Sequence, residues 1–289
     1  MSPRLMIIGP GKVGLALGYA LMQAEAVDHL TVYGRRPEPP THPLFTQGIA
    51  EYVFGIRSPE PGVCAVFLAV PDDAVSEMAH TLASQGEPPP ECAAFHLSGA
   101  LSTEVLAPLH ARGYAIGSFH PLQAIAHPVT GAERLPGSSV AVTGAPGASS
   151  VARRLASSMG CPVINVPEQW RPLYHAAAVT ASNYLPLLLD AACQMLEKAG
   201  VSYEDALPAL IPLVEGTLAN IKELGLAASV TGPVARGDLE TIDLHLRALD
   251  DDDRRLYVTF GRELTRLVGP ELGEDARRAL LERFDGEGS

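Results

Sequence analysis

Positive charge is scarce in this 289-residue sequence. There are 21 Lys and Arg against 33 Asp and Glu, a formal net charge of −12 with histidine neutral. Nucleic acid and anionic membrane both need a basic face, so neither is expected as a partner. Cysteine is also sparse. Cys64, Cys92, Cys161 and Cys193 stand far apart without C-x-x-C spacing. That pattern favours reduced thiols in a cytoplasmic protein over a disulfide scaffold or a zinc site. No apolar run of about 18 residues lacks polar interruption, so no membrane span is expected. The first strand begins by Arg4, which leaves no room for a secretory leader. His96, His120, His175 and His245 show neither i, i+4 nor H-x-H spacing, so no metal site is expected. The phosphate loop G-x-x-x-x-G-K-[ST] is missing too, which counts against a transferase using a nucleoside triphosphate.

What is present suits a globular protein: 47% of residues are hydrophobic and 19% charged. The length allows one large domain or two ordinary ones. The most informative stretch is residues 4–36. Leu5 to Ile8 reads as a buried strand and runs into Gly9-Pro10-Gly11-Lys12-Val13-Gly14, a G-x-G-x-x-G. Leu15, Leu17, Gly18, Leu21 and Met22 then recur at helical spacing, and Leu30 to Tyr33 is a second strand. In this context the motif predicts a dinucleotide site. Gly9 permits the tight turn, Gly11 lets a pyrophosphate approach the backbone, and Gly14 lets helix and strand pack closely. The N–H groups from Lys12 and Val13 onward, with the positive end of the helix dipole, suit phosphate. After the second strand, where an acid would hold the ribose hydroxyls of NAD, stands Tyr33-Gly34-Arg35-Arg36. Two guanidinium groups suit a 2′-phosphate, so the expected cofactor is NADP(H).

The alternation continues. After Arg36 comes a proline-rich loop, PEPPTHP, and 52–57 is a weak edge strand. Val63 to Val70 is a strand ending in Pro71-Asp72-Asp73, with one of the two acids capping the next helix, 74–84. Cys92 to Leu97 is followed by Ser98-Gly99-Ala100, and Tyr114 to Phe119 by His120-Pro121-Leu122-Gln123. Ser102 caps a helix to His110; strands follow at 138–143 and 162–166, separated by a helix at 149–159. Beyond residue 166 the pattern is helical throughout, over 170–199, 203–225, 238–250, 252–268 and 274–284. Residues 1–165 carry 9 basic against 12 acidic side chains, and residues 166–289 carry 12 against 21. The expected architecture is α/β: an NADP-binding Rossmann domain with a mostly parallel sheet at 1–165, then an all-helical substrate and dimerisation domain at 166–289, with a cleft between them. The acid run Asp250 to Asp253 reads as a solvated turn and helix cap.

Three polar clusters are candidates for chemistry. The strand tips carry Val70, Pro71, Ser98 and Gly99 toward the cofactor, and His120 toward a substrate carbonyl or carboxylate. In 174–184, His175 and Ser182 share a helix face and Asn183 lies roughly 80° round. His175 is the expected proton donor opposite the hydride; Ser182 and Asn183 would hold a substrate oxygen. In TGPVARGD, 231–238, Arg236 could bind a substrate anion, or pair with Asp238, which reads as a helix cap.

GPGKVG (9–14), HLSGAL (96–101), GSFHPLQ (117–123), YHAAAVTASNY (174–184) and TGPVARGD (231–238) together resemble the Rossmann enzymes with a helical C-terminal domain of the 6-phosphogluconate dehydrogenase type. That group includes pyrroline-5-carboxylate reductase, prephenate dehydrogenase, ketopantoate reductase and the deazaflavin-dependent NADP reductases. The chain is most similar to a bacterial family described as a Rossmann-like domain plus domain of unknown function 2520. The resemblance implies NADP(H) binding, a site between the domains and a homodimer through the helical domain. It does not imply a substrate. The Lys and Asn that act in the hydroxyacid dehydrogenases of the group are not matched, because no lysine occurs in 170–190. The leading expectation is an NADP(H)-dependent oxidoreductase acting on a small polar carbonyl or imine; the alternative is a non-catalytic NADPH-binding sensor or scaffold.

Overall fold

The computed structural model describes residues 3–269 and 271–286. Strands and helices alternate first: β1 (Arg4–Ile8), α1 (Lys12–Gln23), β2 (His29–Gly34), α2 (Pro43–Thr46), β3 (Glu51–Phe54), β4 (Val63–Leu68), α3 (Val75–Ala83), β5 (Ala93–His96), α4 (Ala107–His110), β6 (Ala115–Pro121), α5 (Pro128–Glu133), β7 (Val140–Gly144), α6 (Pro146–Ser158) and β8 (Val163–Asn165). Helices alone follow: α7 (Arg171–Ser182), α8 (Tyr184–Lys198), α9 (Tyr203–Leu224), α10 (Pro233–Arg236), α11 (Leu239–Ala248), α12 (Asp251–Val268) and α13 (Glu274–Gly286).

The strands form one sheet in the order β3-β2-β1-β4-β5-β6-β7-β8. The first six run parallel, in the 3-2-1-4-5-6 order of dinucleotide-binding folds. β7 turns antiparallel to β6, and β8 runs parallel to β7. This is the α/β class expected, a mostly parallel sheet followed by a helical region. The period of two sends alternate residues into two cores. Leu5, Ile7, Ala65, Phe67 and Phe95 pack with α1, α2, α5 and α6. Met6, Ile8, Val66, Leu68 and Ala94 pack with α3 and α4.

Local differences from the sequence reading have local causes. The proline-rich segment is not all loop: Pro43 opens α2, whose cap is His42, accepting from the Leu44 amide at 3.2 Å. His127 caps α5 in the same way. Histidine is not among the preferred capping residues, which hid both helices. Neither Asp72 nor Asp73 caps α3 through its side chain; Asp72 is bonded elsewhere, as described below. Ser102, Asp238 and Asp250 do cap, each accepting from an amide two or three residues on. The helix expected over 170–199 is interrupted at Asn183.

The chain divides into two compact units, Met1–Ser182 and Asn183–Ser289. α7 therefore goes with the sheet, beyond the last strand. The reason is Arg171, which is fully buried. Its Nε donates to Leu101 O, Nη2 to Ser98 O, and Nη1 to the hydroxyls of Ser118 and Thr143, the last at 2.9 Å. One side chain thus joins α7 to the loop after β5 and to β6 and β7. In the second unit α10 to α13 share a core of Val234, Ile242, Leu246, Val258, Val268, Leu280 and Phe284. α8 and α9 pack on each other, but within them only Cys193 and Ala206 are buried. Lys198 ties the end of α8 to Asp250 at 2.5 Å and Asp253 at 2.6 Å.

Arg171→Ala strands two backbone carbonyls and leaves a void. It should lower the unfolding free energy by about 3 kcal/mol. Urea denaturation measures this; a loss under about 0.5 kcal/mol would show that α7 is not held by this residue.

Candidate functional site

The glycine turn between β1 and α1 lies where the strand order reverses, with β4 as its neighbour. Gly9 has φ +109°, and a Cβ there would stand 2.3 Å from Ala69 O. A Cβ on Gly14 would meet Gly9 O at 2.5 Å and Ala69 Cβ at 2.7 Å. These two glycines make the close packing. Gly11 is different: a Cβ there meets nothing nearer than Ala69 O at 3.8 Å. The space in front of it is open, as a cradle for a phosphate requires. Gly11 is also the N-cap of α1 and has no side chain to satisfy the first-turn amides.

A cavity of about 1370 Å³ opens here. Gly9 and Gly11 line one part, Gly34, Arg35 and Arg36 another, and Val70 and Pro71 a third. Glu77, Met78 and Thr81 of α3 form a further wall. Arg35 and Arg36 are exposed, and neither guanidinium has an ion-pair or hydrogen-bond partner among the described residues. Their backbone is fixed: the Tyr52 hydroxyl donates to Arg36 O at 2.7 Å. Gly34 is required by that contact, since a Cβ would stand 2.2 Å from the same hydroxyl. Lys12 and Val13 are exposed at the start of α1.

The second feature is a polar cluster within the same unit. Asp72 follows the cavity wall residue Pro71 and accepts from the Ser98 hydroxyl at 2.6 Å. Ser98 Oγ in turn accepts from the amides of Ala100 and Leu101 at 3.2 and 3.1 Å. This folds the β5 tip so that Gly99 faces two imidazoles. A Cβ on Gly99 would stand 2.4 Å from His175 Nδ1 and 3.0 Å from His120 Nε2. The two rings are 5.8 Å apart and nearly perpendicular. His120 belongs to β6, paired with Ala141 of β7, rather than following the strand. Its Nδ1 lies 2.7 Å from the Tyr174 hydroxyl. His175 Nδ1 is buried and has no partner among the described residues.

Burial pushes His120 down to about 4, with the charges of His175 and Arg171 adding to it and Asp72 opposing. His96, whose register partner on β6 is Ser118, is fully buried. Burial and then Arg171 and His120 push it down to about 3, and the nearby Ser98 backbone offsets this only in part. Burial likewise lowers Arg171, with Glu168, Tyr174 and Asp72 opposing.

Of the residues singled out in sequence, the structure brings Ser98, Gly99, His120 and His175 together. Ser182 is exposed at the far end of α7, about 10 Å along the axis from His175. Asn183 and Arg236 belong to the second unit, and both are exposed. Arg236 pairs with Asp238 at 3.7 Å. Among the described residues no three potential metal ligands gather, and no helix is long and apolar enough to cross a membrane. Sequence reading marked Asp72 at a strand tip and as one of two candidate caps, but assigned no role to Tyr174 or Arg171. A helical signal existed for the last two: Arg171, Tyr174 and His175 stand at i, i+3 and i+4 and so share a face.

This fold and turn define a Rossmann-type dinucleotide-binding architecture with a helical C-terminal region. Residues 138–264 match the family model described as a domain of unknown function, DUF2520. Solved structures share the fold. A protein from Thermotoga maritima superposes with a TM-score of 0.72 at 21% identity, over 92% of this chain and 99% of that one. A Bacteroides fragilis protein, provisionally described as an NADP oxidoreductase, gives 0.68 at 23% identity over 91% and 97%. The pyrroline carboxylate reductase of Plasmodium falciparum, with NADP bound, gives 0.57 at 14% identity over 99% and 100%. No curated protein matches the sequence.

The depressed histidines carry a stability signature. His96 and His120 stay neutral in the fold but take up protons when unfolded below about pH 6.5. Their contribution is therefore complete above that pH. It is lost as pH falls from about 6.5 toward 4 for His120 and toward 3 for His96. Replacing the fully buried His96 by Leu should flatten the fall of unfolding free energy between pH 6 and 4 by about 1.4 kcal/mol per pH unit. Denaturant titrations across that range measure it, and parallel profiles would contradict the assignment.

Proposed function

We propose that this chain is an NADP(H)-dependent oxidoreductase moving a hydride between the nicotinamide and a small polar carbonyl or imine substrate. The observation that carries this is the cavity, with an open glycine cradle at one part and two unpaired guanidinium groups at another. The residues fit the cofactor. Gly9, Gly11 and the first-turn amides of Lys12, Val13 and Gly14 would take the pyrophosphate. Arg35 and Arg36 beyond Gly34 would take the 2′-phosphate. Val70, Pro71, Ser98 and Gly99 would flank the path toward the nicotinamide. The NADP bound by the Plasmodium falciparum enzyme supports the same use of the fold.

When bound, the cofactor supplies or accepts the hydride. The chain supplies the rest. Asp72 and the amides of Ala100 and Leu101 fix Ser98 and set the position of Gly99. His175, with Nδ1 buried, exchanges a proton with the substrate through Nε2. His120 orients the substrate. Ser182 is open to polar groups of a substrate. The chain functions as a homodimer through its helical unit. Support comes from Leu187, Leu213, Leu224 and Leu226, which are 55% to 67% exposed.

Calorimetry with NADPH and NADH tests the cofactor. Arg35→Ala/Arg36→Ala should weaken NADPH about thirtyfold, the effect of losing about 2 kcal/mol of charge-assisted bonding, and leave NADH unchanged. Equal binding of NADH and NADPH by the unaltered chain would contradict the role of the pair. Sedimentation of the full chain should give the mass of two copies; a monomer at micromolar concentration would contradict the dimer.

A further inference from the structure

The Tyr174 hydroxyl lies 2.7 Å from His120 Nδ1, with the rings 5.5 Å apart at 87°. One of the two groups donates. A neutral imidazole carries one N–H and one lone pair, and a phenol carries one proton. If Nδ1 donated, the phenol proton and the Nε2 lone pair would lack a protein partner among the described residues; if the phenol donates, the Nε2–H and a phenol oxygen lone pair do. A phenol is a stronger acid than a neutral imidazole N–H, and an imidazole nitrogen is a stronger acceptor than a phenol oxygen, so the second arrangement pairs the better donor with the better acceptor and wins.

That remaining N–H points toward Gly99, and Nε2 is not among the fully buried side-chain atoms without a partner. His120 Nε2 lies 3.0 Å from the position a Cβ on Gly99 would occupy, next to His175. We propose that Tyr174 is a positioning residue: by donating to Nδ1 it fixes His120 as the Nε2–H tautomer, a permanent hydrogen-bond donor for a substrate carbonyl oxygen. This deepens the oxidoreductase reading and rests on it only for the identity of the acceptor. A protonated imine offers such a donor no lone pair, so a ketone or aldehyde is the fitting substrate class. Proton exchange is left to His175.

The surrounding groups agree. Arg171 and His175 on α7 oppose a second proton on His120, burial opposes it more strongly, and only Asp72 after β4 favours it. His96 on β5 is itself held neutral down to about 3. Tyr174 keeps its proton, because burial pushes it up to about 12 against the pull of Arg171.

The test is imidazole ¹H–¹⁵N NMR on the labelled full chain without cofactor, from about pH 5 to about pH 8, with His120→Asn to assign the signal. The expected result is one His120 species throughout, with Nε2 protonated and Nδ1 bare. Tyr174→Phe should convert it to a mixture of tautomers and leave NADPH affinity, read by calorimetry, unchanged. A wild-type Nδ1–H tautomer, a His120 that titrates within this range, or a Tyr174→Phe spectrum identical to wild type would each overturn the proposal. The wild-type spectrum decides the tautomer even if the variant fails to fold. No turnover is needed, so loss of the oxidoreductase reading would leave the tautomer result standing.

Discussion

A buried guanidinium without a carboxylate partner constrains much of the first unit. Arg171 is fully buried, and among the described residues its hydrogen-bond acceptors are two backbone carbonyls and two hydroxyls, with Glu168 and Asp72 favouring its charge from further off. A buried cation is costly unless its donors are satisfied, so these four acceptors must stay where they are. They lie within β6, near the end of β7 and in the loop after β5. Fixing them fixes the first turn of α7, and with it Tyr174 and His175 three and four residues on. Burial is the main force keeping protons off His96 and His120, and the same charge adds to it. One residue thus sets the geometry of the cluster and reinforces the neutral state of these two histidines.

Glycine has two opposite uses along the sheet edge. Gly9 and Gly14 are filled in, with backbone or Cβ atoms where their own Cβ would stand. They bring β1, α1 and β4 together at the reversal of strand order. Gly11 is open, and the opening is what a ligand would use. Gly99 is a third case, filled by two imidazoles that approach from β6 and α7. Asp72 connects the two regions, since it adjoins the cavity and holds Ser98.

The sequence revealed what depends on near neighbours. Each strand showed as an apolar run, and the glycine turn with its following Arg pair showed as a motif. Asp238 and Asp250 were legible as caps because a cap bonds an amide three residues away. Arg171 was not legible, because its partners lie 28 to 73 residues away. Asp72 was read as a cap for the same reason: its true partner, Ser98, is 26 residues on. His120 and His175 were both singled out, but that they converge on Gly99 depends on how α7 meets the sheet. The break between α7 and α8 had a cue that the apolar periodicity ran through: Pro186 has no amide to bond Ser182 O and its ring crowds that carbonyl, so the helix is interrupted at Asn183.

In the proposed function one bound dinucleotide reaches from the Arg pair to the two histidines, and a crystal structure of the chain with NADP⁺ checks this. The expected result is the 2′-phosphate within hydrogen-bond distance of Arg35 and Arg36, the pyrophosphate over Gly11, and the nicotinamide beside Gly99. A dinucleotide in the reverse orientation, or one whose nicotinamide lies away from Gly99, would contradict it.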